Sequence, residues 1–166
     1  MSELQVMRAD HAAAILAFER ANREYFAASI NDRGDEFFDQ FAERHRETLA
    51  AQAAGADAYH VLVDEDGSVL GRFNLFAISD GTARLGYRVA QRVAGRGVAT
   101  AAVIELCRLA ASRYGLRTLR AAVSQDNVAS QRVLAKAGFV AAGPAAPAEI
   151  GGKAGTWYQL DLPAPS

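Results

Sequence analysis

Residues 83 to 114 run ARLGYRV, then AQRVAGRG, then VATAAVIELCRLAASRY, and this succession of strand, glycine loop and helix constrains the chain more than any other feature. The first segment alternates in the manner of a half-buried strand. In the last, Val98, Ala102, Val103, Leu106, Leu109 and Ala110 share one helical face, and Gly115 stands where a C-terminal stop belongs. A helix entered from a glycine loop turns its unpaired N–H groups, and the positive end of its dipole, towards whatever the loop holds. The junction is therefore an anion site. Two glycine patterns overlap in it: Arg92, Gly95 and Gly97 in one register, and Ala94, Gly97 and Ala99 in the other.

Charge supports a polyanionic ligand at this place. The chain of 166 residues has a net charge of only −1, but residues 84 to 136 carry ten basic side chains against two acidic ones, whereas residues 1 to 83 carry seven against fifteen. Solvated helix faces account for several of these arginines. Nucleic acid is disfavoured, because the basic segment offers only Tyr87 and Tyr114 for stacking bases and the overall pI is about 6.3.

Length and 51% hydrophobic composition fit one globular domain, residues 1–166. No apolar run approaches the length of about 18 residues that a membrane span needs, and the N-terminus lacks a signal-like apolar segment, so a cytoplasmic protein without membrane contact is expected. The lone Cys107 lies on an apolar helical pattern and reads as core. No His/Cys/Asp cluster has ligand spacing, so no metal is expected.

Helices are predicted over residues 10–29 and 35–53, joined by the turn INDRGD. A hairpin follows over 59–78 with Asp66-Gly67 at its tip. Beyond the central helix come a strand RTLRAAV, a short helix opened by Asn127 and closed by Gly138, and a last strand GTWYQLDL. The stretch AAGPAAPAEIGGKAG reads as a loop, and the tail at 163–166 as loose. The element order gives an α/β (α+β) mixed sheet with helices packed on it.

Two phosphate-binding families fail at this loop. No Lys follows the glycines, which excludes a nucleotide-triphosphate loop, and Thr100 and the distant Asp126 spoil a dinucleotide fingerprint. By contrast, LGYRVAQRVAGRGVATAAV, followed about thirty residues later by NVASQRVLAKAGF, resembles the GNAT superfamily of acetyl-coenzyme A dependent N-acetyltransferases. Within it the likeness is to Rim-type enzymes, which acetylate the N-termini of ribosomal proteins. It rests on Leu85 to Tyr87, Gly95 to Gly97, and Asn127, Ser130, Leu134, Lys136, Gly138 and Phe139, and extends over residues 59–162.

The resemblance implies a mostly antiparallel sheet, splayed at the cofactor site, with helices on both faces. Residues 1–55 would form N-terminal helices towards the acceptor site, and residues 56–162 the sheet and CoA-binding core. The family pattern, counted back from the helix face, selects the register Ala94, Gly97, Ala99 and leaves Arg92 outside it. Acetyl-CoA is the implied cofactor, with the pyrophosphate over Gly95, Arg96, Gly97, Val98, Ala99 and Thr100 and the pantetheine arm along the backbone of Tyr87, Arg88 and Val89. Val89 N–H would polarise the thioester carbonyl. Asn127 would bond the pantetheine amides, Ser130 would sit near the sulfur and Lys136 near a nucleotide phosphate. The tyrosine acid of many members is replaced by Leu134, so Glu149 is the implied base and Ser130 the acid.

These residues also have plain readings: Asn127 and Ser130 start a helix, Lys136 is solvated and Glu149 is a loop carboxylate. The implied partner is an amine, foremost a protein N-terminus, with a small-molecule amine as alternative; a second copy of the chain is allowed as a dimer partner. A CoA-binding module without turnover is the competing reading, motivated by Ala94 and Leu134. His11, His45 and His60 read as surface or core polar groups.

Overall fold

The computed structural model describes residues 2–28 and 31–163. Residues Ser29 and Ile30 at the end of the first predicted helix and turn, and the tail at 164–166, lie outside these described residues. Seven strands form one sheet in the order β1 (Glu3–Val6), β2 (Ala58–Val63), β3 (Val69–Ser79), β4 (Thr82–Val89), β5 (Thr118–Ser124), β7 (Gly155–Asp161), β6 (Val140–Ala145). Every neighbouring pair is antiparallel except β4 and β5.

That parallel pair decides the architecture. Its ladder covers only Thr82 to Arg84 against Thr118 to Arg120, after which β4 runs on to Val89 and β5 to Ser124 without pairing to each other. The mostly antiparallel sheet, split between β4 and β5, is the one the family resemblance implied.

Helices cover both faces, as alternation along β2 shows: Val61 faces one apolar cluster and Leu62 the other. On one face α5 (Val98–Ser112) buries Val103, Leu106 and Ala110, three- and four-spaced, against Phe73, Leu75 and Leu119. The short helix α6 (Val128–Lys136) adds Leu134 to the same cluster. On the other face α1 (Ala12–Ala21) and α4 (Phe41–Ala53) bring Ile15, Phe18 and Phe41 onto Val61 and Val69. Each such fully buried side chain contributes about 1.5–3 kcal/mol of transfer free energy.

Four expectations need correction. The helix expected over 10–29 breaks at Asn22 into α1 and α2 (Arg23–Ala27), because the buried Asn22 amide donates to Phe18 O at 2.9 Å and its Oδ1 accepts from Gln91 N at 2.9 Å. The helix expected over 35–53 breaks at Gln40 into α3 (Asp35–Asp39) and α4. The segment 1–55 is not helical throughout, since β1 pairs with β2. Finally, the expected loop at 141–155 contains β6 at its start, where Pro144 is tolerated because the strand is outermost and its missing N–H interrupts no central ladder.

The hairpin tip is as expected: Gly67 takes φ +85°, and Asp66 Oδ1 accepts from the Ser68 N–H at 2.9 Å. Among the described residues no helix is long and apolar enough to cross a membrane.

Candidate active site

The glycine loop meets α5 at Gly97, which caps the helix in a left-handed conformation, φ +78°; Gly95, two residues earlier, is also left-handed at +75°. A Cβ at either position would find no atom within 4 Å, so backbone conformation rather than packing calls for glycine, and the space above is open. The first helical bond of the turn runs from Ala101 N to Gly97 O at 3.1 Å. The N–H groups of Val98, Ala99 and Thr100 therefore have no intrahelical acceptor and point out of the helix end. Ala99 lies in the first turn, while Arg92 turns away and donates to Ser68 Oγ at 3.0 Å on the β2–β3 turn.

A groove of about 390 Å³ runs from this helix end along the split in the sheet. It is lined by Tyr87, Arg88 and Val89 of β4, by Ala94, Gly95, Gly97, Ala99 and Thr100, and by Asn127, Ser130 and Lys136. Arg96 is exposed and Val98 packs on the core, so neither side chain lines the groove. The Ala90 N–H donates to Leu70 O at 2.8 Å, and in an antiparallel ladder bonding direction alternates. With Val89 opposite Gly71 and Tyr87 opposite Phe73, the N–H and C=O of Tyr87 and Val89 consequently face the split, where β5 no longer accepts them.

On the far side a second cavity of about 380 Å³ shares Tyr87, Arg88, Asn127 and Ser130 with the groove and adds Arg84, Ser124 and Glu149. The two volumes meet where the Tyr87 hydroxyl stands 2.8 Å from Ser130 Oγ. The Tyr87 ring is fixed by parallel stacking on Phe73, centroids 5.7 Å apart, and burial raises the phenol pKa against the opposing effect of the Ser130 bond. Sequence reasoning used only the backbone of Tyr87. Its phenol is a new member of the site, and it occupies the neighbourhood that Leu134 leaves without a hydroxyl.

Glu149 reaches the same cavity from the turn ahead of β7. Arg84 Nη1 donates to its carboxylate at 2.9 Å and Nη2 to its carbonyl oxygen at 2.6 Å, while the Arg84 guanidinium lies 5.1 Å over the Trp157 ring. Gly155 allows this turn to sit close, since a Cβ there would overlap the Val123 carbonyl and the Ile150 side chain. Asn127 fills the capping role, its Oδ1 accepting from Ser130 N at 3.1 Å, which leaves its amide N–H groups as donors towards the groove.

The Acetyltransferase (GNAT) domain pattern matches residues 3–140 of this chain. Over 130 residues the chain is 31% identical to the probable N-acetyltransferase YjcK of Bacillus subtilis, covering 75% of this chain and 72% of that one. The chain belongs to the GNAT acetyltransferase family. The solved ribosomal-protein-S5-alanine acetyltransferase of Vibrio fischeri superposes with TM-score 0.89 at 20% identity, covering 96% of this chain and 92% of that one. A spermidine N-acetyltransferase of Vibrio cholerae, in complex with CoA and spermine, gives TM-score 0.80 at 16% identity, covering 97% and 95%. At these identities it is the fold that is shared.

This GNAT chain also carries a buried ionic cluster. Glu19, 1% exposed, accepts from Arg33 Nε at 3.3 Å and Arg88 Nη1 at 3.1 Å on one oxygen, and from Arg72 Nη1 at 3.0 Å on the other. Its spacing with Ile15 and Phe18 places it on the buried face of α1, and that signal was available. Burial, followed by the charge of Arg33, pushes the Arg88 pKa down to about 10.

All three histidines are buried and serve structure: His45 Nε2 meets Arg8 O at 3.2 Å, and His11 Nδ1 accepts from Arg8 N at 2.9 Å. Burial pushes the Cys107 thiol up to about 11, consistent with its place in the core. Among the described residues no group of three or more His, Cys, Asp or Glu is placed to hold a metal.

Proposed function

We propose that this GNAT acetyltransferase takes acetyl from acetyl-CoA and transfers it to a primary amine, foremost the α-amine of a protein N-terminus. The observation that carries the reading is the meeting of two cavities at the Tyr87–Ser130 pair, one ending on the N-terminus of α5 and the other holding Glu149. The residues fit the donor: open space over Gly95 and Gly97 suits a pyrophosphate, and the backbone of Tyr87 and Val89 turned to the split suits an extended amide-bearing arm. Acetyl-CoA, when bound, supplies an acetyl group activated as a thioester.

The chain's own groups divide the remaining work. An α-amine has a pKa near 8, roughly, and must lose a proton as it attacks. Glu149 accepts that proton at its carboxylate, directly or through water, while Arg84 holds the carboxylate in the cavity. The Val89 N–H donates to the oxygen on which charge develops. Ser130 delivers its hydroxyl proton towards the departing sulfur, and the Tyr87 O–H in turn donates to Ser130 Oγ. One proton is taken up at Glu149 and one is released by the hydroxyl pair, so solvent exchange restores the site.

A small-molecule amine is the alternative acceptor, favoured by the enclosed volume of about 380 Å³ on the acceptor side. Incubation with acetyl-CoA and a panel of short peptides, amino acids, polyamines and aminoglycosides separates the two. Thiol release is expected with at least one class. Absence of CoA binding in calorimetry would defeat the reading outright.

A further inference from the structure

The Glu19 cluster has an unbalanced charge. Three guanidiniums converge on one carboxylate, and among the described residues Arg33, Arg72 and Arg88 form no other ion pair. The side chains of Arg72 and Arg88 are only 11% and 18% exposed, so two surplus positive charges stand at the edge of the core. A buried surplus of one sign is destabilising unless a counter-charge completes it. Arg88 is the member that lines the acceptor-side cavity. Its guanidinium lies 4.6 Å over the Phe26 ring and spends one nitrogen on Glu19, which leaves further N–H donors in place. Arg33, stacked 4.7 Å from Phe37 and a third exposed, forms the solvent end of the same cluster.

The carboxylates nearest the cluster are engaged by arginines. Glu19 is shared by three arginines, and Asp32 and Asp35 both pair with Arg23 at 2.8 and 2.9 Å. In the cavity itself Glu149 is matched by Arg84. A polyamine entering this cavity would meet Arg84 and Arg88, with Glu149 already paired to Arg84.

We infer that the preferred acceptor is an amine whose own molecule carries a carboxylate, taken up by Arg88 and Arg33 while the amine lies at Glu149 and Ser130. Two sources share this chemistry: a peptide with Asp or Glu close behind its N-terminal residue, and a free amino acid. The inference rests on the acetyltransferase reading and narrows its substrate. Completion of the arginine cluster by the acceptor's carboxylate also gives the acceptor a charge-assisted, two-pronged contact that fixes its orientation.

The test compares acetyl transfer to peptides beginning Ala-Asp-Glu, Ala-Asn-Gln and Ala-Lys-Lys, to free alanine against ethylamine, and to spermidine. The acidic peptide is expected to exceed its amide twin in kcat/KM by about tenfold or more, with the lysine peptide and spermidine lowest. A parallel advantage of alanine over ethylamine assigns the free amino acid as a source; its absence assigns the peptide. The preference should shrink in Arg88→Gln and also in Arg33→Gln, with thermal melting of each variant confirming that it is folded. Equal kcat/KM for the acidic and amide peptides, or preference for spermidine, overturns the inference while leaving acetyl transfer intact. If no acceptor releases thiol, the acetyltransferase reading fails. Calorimetry of the two peptides on CoA-loaded protein then judges the inference separately, and equal affinities overturn it.

Discussion

The Tyr87 hydroxyl stands 2.8 Å from Ser130 Oγ, and both residues line the groove along the split sheet as well as the cavity beyond it. Tyr87→Phe keeps the ring stacked on Phe73 and removes only the hydroxyl. Steady-state kinetics should show kcat lower by about 10- to 100-fold, with CoA affinity by calorimetry nearly unchanged. Ser130→Ala should act alike, and the double variant should be little worse than either single one, because the two hydroxyls act as a unit. Additive losses would show that they act separately.

Glu149 and Arg84 form a pair whose side chains are 43% and 37% exposed. An exposed pair of this kind contributes little to stability. Glu149→Gln should therefore leave the melting temperature in place while lowering kcat on the order of 100-fold, the loss expected for a missing general base. An unchanged kcat would remove Glu149 from the chemistry and return it to the role of a loop carboxylate.

Gly97 and Arg92 separate the two glycine registers. At φ +78° a side chain costs about 1–2 kcal/mol, and the strain falls on the residue that aims the free N–H groups of α5. Gly97→Val should weaken CoA binding by about tenfold or more. Arg92→Ala removes a contact to Ser68 Oγ and should leave CoA affinity within about twofold. The opposite order of effects would restore Arg92 as a loop residue.

Features set by neighbours in the chain were legible, and those set by distant partners were not. The start of α5 at Val98, the turn at Asp66-Gly67 and the cap at Asn127 each follow from residues within a few positions. The four-residue β1, with a charged first residue, and β6, interrupted by Gly143 and Pro144, give no clean alternation. Their pairing comes from β2 and β7. The site divides in the same way. Gly95 and Gly97 are found from their own spacing, whereas the Tyr87 phenol acquires its meaning from Ser130, 43 positions on, and Glu19 from Arg72 and Arg88, 53 and 69 positions on. The spacing of Glu19 with Ile15 and Phe18 gives its burial, but the arginines that neutralise it arrive only with the sheet.

His60 supplies a stability test independent of catalysis. It is 1% exposed, its Nε2 meets the Tyr114 hydroxyl at 3.0 Å, and the Phe73 backbone opposite it in the sheet partly offsets the effect of burial on the ring. Burial pushes its pKa from 6.5 down to about 4, with the charge of Arg113 acting in the same direction. The unfolded chain therefore takes up the proton first as pH falls. The stability associated with neutral His60 is fully present above pH 6.5 and is lost as pH drops towards about 4, by on the order of 3 kcal/mol in all. His60→Phe keeps an aromatic ring against Tyr114 and cannot be protonated. Denaturant unfolding at a series of pH values should show wild type losing stability relative to this variant across that window, and only there. Parallel curves would mean that the ring is already charged in the folded protein, or that it stays neutral in the unfolded chain as well.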